Sequence, residues 1–158
     1  MNFKFFFREL PFFSVLAYVL MKLITFFYIY AHNYYQVEQW PYALLWRNQD
    51  IEKSFMLLLS PLLLAPVIET LFFCVGIWHL CQKLRLHRFF FIIISAGVFG
   101  AYHLFGAGKG IYTFMYTFAG GCVLAYVYQQ KIQQHKEMTA FICVVLVHAL
   151  ANFLSVMI

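Results

Sequence analysis

A chain of 158 residues has room for one domain, and 64% of this one is hydrophobic while only 11% is charged. So few charges cannot cover that much apolar surface in water, which excludes a soluble globular domain and places the chain in a bilayer. The formal net charge of +5 would suit a nucleic-acid binder, but the Lys and Arg residues fall between apolar segments and form no stripe. They read as topology signals, so no nucleic-acid partner is expected.

Five apolar segments are long enough to span about 30 Å at a rise of about 1.5 Å per residue. The first covers residues 10–30 and carries Lys22 in its interior. The charges Lys4 and Arg8 before it resemble the start of a signal peptide. The apolar run offers no small-residue cleavage site, however, so a retained, peripheral first helix is expected. A polar and aromatic stretch, 31–53, follows. The second span covers 55–80 and is interrupted by Pro61 and Pro66, which free backbone carbonyls and predict a kink just before Glu69. The third covers 89–105 and stops at Gly106-Ala107-Gly108. The fourth covers 111–128 and the fifth 138–158. The expected fold is therefore all-α: a polytopic membrane helix bundle of about five transmembrane helices. It forms one integral membrane domain over 1–158, with a four-helix catalytic core at about 55–158.

The positive-inside rule selects an orientation. With the N-terminus cytoplasmic, the inner side receives Lys4, Arg8, Lys83, Arg85, Arg88, Lys131 and Lys136. The outer side receives Arg47, Lys53 and Lys109, offset by Glu38, Asp50 and Glu52. A multi-pass protein of the cell membrane is the expectation.

Glu69 is the one acidic residue inside these long apolar segments. A charge at mid-bilayer costs roughly 3 kcal/mol on insertion scales, so such a residue is expected to face protein or a water-filled cavity, with a partner. Helical rise places Glu69 roughly 16 Å from the cytoplasmic end of its span. His103 falls roughly 21 Å along the third span, and His148 and Asn152 roughly 14 and 20 Å along the fifth. Three helices thus bring polar residues to one layer near the midplane. Phe99 and His103 stand one turn apart on one face, and so do His148 and Asn152. The small residues Thr117, Gly121 and Ala125 form a stripe that predicts close packing of the fourth helix. Cys74, Cys81, Cys122 and Cys143 lack metal-knuckle spacing and read as small packing residues. His32, His79, His87 and His135 lie near span ends, where an interfacial role is the default.

Taken in order, Glu69 preceded by Ala65-Pro66, then Phe99 to His103, then His148 to Asn152 resembles the CAAX-protease and bacteriocin-processing (CPBP, or Abi) family of intramembrane glutamic endopeptidases. That family carries Glu-Glu-x-x-x-Arg, Phe-x-x-x-His and His-x-x-x-Asn. Here Thr70 stands at the second Glu and Cys74 at the Arg. The resemblance covers about 65–153. It implies a protease whose substrate is a membrane-associated protein or peptide, with Glu69 and His103 activating water and His148 with Asn152 stabilising the oxyanion. It implies no cofactor and gives no oligomeric state. Phe99 and Thr70 are supporting residues in this reading.

Lys22, roughly 18 Å along the first span, is a candidate source of the positive charge that Cys74 does not provide. The competing reading is a Lys that snorkels to the interface. Two other functions fit the same residues. Glu69, His103 and His148 could together ligate zinc in a metal-dependent hydrolase, although no His-Glu-x-x-His helix is present. A non-catalytic membrane adaptor or immunity protein on the same scaffold would be consistent with Thr70 and Cys74. A transporter fits less well, since the chain has no internal repeat and one intramembrane acid.

Overall fold

A computed structural model of the chain describes residues 12–24, 60–107 and 110–157. The remainder of the first and second spans, the polar stretch 31–53, Lys4, Arg8, Lys109 and Ile158 lie outside the described residues. Those described form helices and turns, with no strand among them. Helix α1 is Phe12–Ile24 and α2 is Leu62–Lys83. Helices α3 (Arg88–Ala107), α4 (Gly110–Gln134) and α5 (Glu137–Met157) follow. Helices α2 to α5 are each long and apolar enough to cross a membrane, and the 13-residue α1 is shorter. The chain is an all-α, multi-pass membrane bundle.

Short turns join α2 to α3 and α4 to α5. The first closes with Arg85 N–H donating to the Gln82 carbonyl (3.1 Å) and Leu86 N–H to the Cys81 carbonyl (2.9 Å). Arg85 adopts φ 51° to allow this, the left-handed conformation that ends many helices. Both turns lie at one end of the bundle, because His79 near the end of α2 meets Glu137 at the start of α5. Lys83, Arg85, Arg88 and Lys136 gather there as well.

Helix α2 is not uniform. A short α-helical stretch, Ala65–Glu69, is flanked by π-helical Ser60–Leu64 and Thr70–Gly76. Where the sequence predicts a proline kink, the structure widens its winding on both sides. Pro66 has no N–H to give to the preceding turn, and π-winding lets carbonyls find donors one residue further on. Glu69 ends the α-helical stretch, at the point where the winding changes.

Helix α4 is the most enclosed: 56% of its apolar window is buried, against 17% for α2. It runs to Gln134, six residues past the hydropathy boundary at Tyr128. Residues 129–134, Gln-Gln-Lys-Ile-Gln-Gln, are good helix formers, so the helix outlasts the apolar run. Lys131, assigned from sequence to a loop, is therefore helical and buried. As the small-residue stripe predicts, Thr117, Gly121 and Ala125 are all buried. A Cβ on Gly121 would lie 3.0 Å from the Ala96 Cα, so α3 and α4 approach as closely as their backbones allow.

Ser14, Ala17 and Met21 put one buried face of α1 on the bundle. The Met21 sulfur lies 3.2 Å from where a Gly120 Cβ would stand, and Phe13 meets Tyr126 across α4. Trp78, Phe91 and Tyr128 join α2, α3 and α4 with ring centroids 5.0–6.0 Å apart. Large apolar side chains such as Phe72, Phe89, Ile111 and Met138 face outward, as expected of a surface solvated by lipid.

Candidate active site

The widened start of α2's second half, the middle of α3 and the second half of α5 converge on Glu69. Its Oε1 lies 3.6 Å from His103 Nε2. Its Oε2 lies 3.4 Å from His148 Nε2. The carboxylate thus sits between two imidazoles from two other helices, which answers the need of an enclosed charge for polar partners. Both separations exceed the usual hydrogen-bond length, so neither ring is locked to the carboxylate.

The environment is graded. The Glu69 and His148 side chains are 14% and 7% exposed, whereas His103 is 25% exposed and lies at the open edge. His103 Nδ1 is 3.0 Å from the Phe99 carbonyl. A carbonyl only accepts, so Nδ1 carries the proton, and in the neutral ring the lone pair of Nε2 faces Glu69.

Phe99 is wedged between the two histidines. Its ring centroid is 4.5 Å from that of His103 and 5.8 Å from that of His148, both edge-to-face. Phe73 packs on Phe99 from α2 at 5.3 Å. This aromatic stack sets the ring planes of both imidazoles.

Beside Glu69 lies a small cavity lined by Thr70, Cys74, Ser95, Phe99, Gly121 and His148, together with Phe73 and Leu124. About 10 Å³ of it is open to the centre of a water molecule, the lower edge of what one water requires. Thr70 occupies this wall because a turn of π-helix begins with it. Ser95 donates to the Phe73 carbonyl at 2.7 Å, tying α3 to α2. Phe73, Ser95 and Leu124 were not singled out from sequence. A signal existed for Ser95, because Ser95, Phe99 and His103 follow one another at four-residue spacing on one face of α3.

Asn152 is half-buried one turn beyond His148 on α5. Lys22 is placed elsewhere: it is exposed, with its ammonium 5.3 Å from the Tyr18 ring centroid on its own helix. Lys22 is not within ion-pair distance of Glu69, whose partners are His103 and His148. Among the described residues, no group of three His, Cys, Asp or Glu side chains is arranged to hold a metal ion. All four cysteines are free thiols, and Cys74, Cys81 and Cys143 are buried.

The profile of the Rce1-like family, described as type II CAAX prenyl endopeptidase Rce1-like, matches residues 51–154. The chain belongs to this family. The matched region takes in α2 to α5 almost entirely and contains Glu69, Phe99, His103, His148 and Asn152, while α1 lies before it. The sequence resemblance to CAAX proteases is thereby borne out. Comparison with curated proteins and with solved structures found no significant match. In general terms, an Rce1-like chain is a membrane endopeptidase of the CAAX type, and its natural setting is the lipid bilayer.

Proposed function

We propose that this Rce1-like chain hydrolyses a peptide bond of a membrane-associated protein or peptide, with Glu69 as the general base. The observation that carries the reading is the placement of one intramembrane carboxylate between two imidazoles from separate helices, at 3.4 and 3.6 Å. In this mechanism a water molecule near His103 gives a proton to Glu69 as its oxygen attacks the scissile carbonyl carbon. His103, whose Nε2 lone pair faces Glu69, helps hold that water. The carbonyl oxygen becomes an oxyanion and accepts hydrogen bonds from His148 Nε2–H and the Asn152 amide. As the tetrahedral intermediate collapses, the C–N bond breaks and the leaving amine takes the proton back from Glu69. The products are one carboxylate and one amine.

The family description points to substrates with a prenylated C-terminus. A peptide anchored by a lipid would enter laterally, past the more exposed His103. The cluster of basic residues at the α2–α3 and α4–α5 turns supports a cytoplasmic position for that end, and with it a cytoplasmic N-terminus in the cell membrane.

The test uses the full chain reconstituted in lipid vesicles, with farnesylated peptides as substrate and products read by mass spectrometry. Cleavage that persists in a strong chelator and disappears in Glu69→Gln supports the glutamic mechanism. Cleavage abolished by the chelator and restored by zinc would instead favour the metal-dependent hydrolase. A phenotype in cells that Glu69→Gln leaves intact would favour a non-catalytic adaptor.

A further inference from the structure

Two of the polar atoms in this site have no role in the mechanism above. Thr70 Oγ1 and His148 Nδ1 are each buried without a hydrogen-bond partner. Thr70 is 1% and His148 6% exposed, and both line the cavity beside Glu69. A buried donor or acceptor without a partner is destabilising, so two on one small cavity require an explanation.

The chemistry of the lining narrows the choice. For His148 to stabilise an oxyanion, Nε2 must carry a proton. In the neutral ring Nδ1 is then a lone pair that needs a donor. Ser95 cannot serve, because its hydroxyl already donates to the Phe73 carbonyl. The Cys74 thiol is only a weak donor. Glu69 faces the other nitrogen of the ring. Thr70 remains. Threonines in helices often turn back to the carbonyl four residues earlier, as Thr117 does to the Thr113 carbonyl at 2.6 Å, but Thr70 Oγ1 makes no such bond. The cavity has space for about one water molecule.

We propose that Thr70 is a positioning residue for His148: its hydroxyl donates to a single water in this cavity, and that water donates to His148 Nδ1. The bridge holds the ring in the tautomer with Nε2–H aimed at the reacting carbonyl. The position that holds a second carboxylate in the CPBP motif thus carries a neutral hydroxyl that acts through the oxyanion histidine, and no charge is buried to do it. The inference rests on the proposed role of His148, but it makes a prediction about the resting protein that needs no substrate.

The experiment is ¹⁵N NMR of the chain labelled on its histidine rings and reconstituted in lipid nanodiscs, with the His148 signals assigned by their loss in His148→Gln. In the wild-type protein His148 is expected to be protonated on Nε2, with Nδ1 at the shift of a lone pair that accepts a hydrogen bond. Thr70→Val, of the same shape without the hydroxyl, should move the Nδ1 resonance to that of an unbonded nitrogen. Thr70→Ser should keep the wild-type position. With a cleavable substrate, Thr70→Val should lower kcat about tenfold with KM unchanged, and Thr70→Ser should restore it. A wild-type ring protonated on Nδ1, or a Nδ1 resonance identical in Thr70→Val, would overturn the proposal. If Thr70→Val does not fold, Thr70→Ala, which also lacks the hydroxyl, supplies the same readout. A chain that cleaves nothing but shows the predicted resonances would contradict the protease reading and leave the Thr70 bridge standing.

Discussion

Glu69 Oε2 lies 3.4 Å from His148 Nε2, joining α2 to α5 at the point where α2 changes from α- to π-helical winding. The separation is too long for a firm hydrogen bond, so the carboxylate does not tie up Nε2–H, which can donate to an oxyanion held beside it. His148→Gln should therefore preserve the fold and lower kcat by roughly 10²–10³, the usual cost of losing one preorganised oxyanion donor. A kcat measurement in vesicles, with helicity followed by circular dichroism, checks it. Loss of helicity in step with activity would assign His148 a structural role.

Phe99 touches both imidazoles, so its loss should be felt at both. Phe99→Leu is expected to lower stability by about 1–2 kcal/mol and to reduce kcat more than KM rises, since it loosens ring planes without removing a reacting group. Thermal unfolding and steady-state kinetics on the same preparation separate the two effects. An unchanged kcat would mean that the aromatic stack only fills space.

At Gly121 the backbones of α3 and α4 approach closely, and this glycine also lines the cavity. Because a Cβ there meets the backbone of Ala96, Gly121→Ala must push the helices apart. The expected cost is about 1–3 kcal/mol, with reduced activity. Gly97, whose added Cβ would meet nothing within 4 Å, is the control: Gly97→Ala should be tolerated. Equal melting temperatures for the two variants would contradict this packing account.

His79 and Glu137 approach to 2.7 Å at the basic end of the bundle, but their side chains are 61% and 44% exposed. Tyr128 adds a long contact of 3.4 Å to the same carboxylate oxygen. Solvent screening limits such a pair to about 1 kcal/mol or less. A double-mutant cycle of His79→Ala and Glu137→Gln should return a coupling in that range, with cleavage unaffected. A large coupling would show that the pair clamps α2 to α5.

Much of this architecture was legible in the sequence because a bilayer constrains it so strongly. Apolar runs gave the spans, and one intramembrane acid gave the centre. The helical rise put Glu69, His103 and His148 at one depth, and their distances agree with that. Other features were set by backbone hydrogen bonding and side-chain direction, which hydropathy does not register. The π-helical winding around Ala65–Glu69 answers a missing N–H at Pro66. The extra turns of α4 to Gln134 follow helix propensity past the end of the apolar window. Depth alone also could not tell Lys22 from a site residue: it shares the layer with Glu69, yet it points outward over Tyr18.

The central claim is that the Glu69 carboxylate activates water. Its most direct test needs no known substrate: membrane proteomes of cells expressing the wild-type chain or Glu69→Gln at equal levels, compared for new protein termini. The account predicts at least one membrane-associated protein that is cleaved with the wild-type chain and accumulates uncut with Glu69→Gln, a rate loss on the order of 10²–10⁴. Identical cleavage products from the two strains would contradict it.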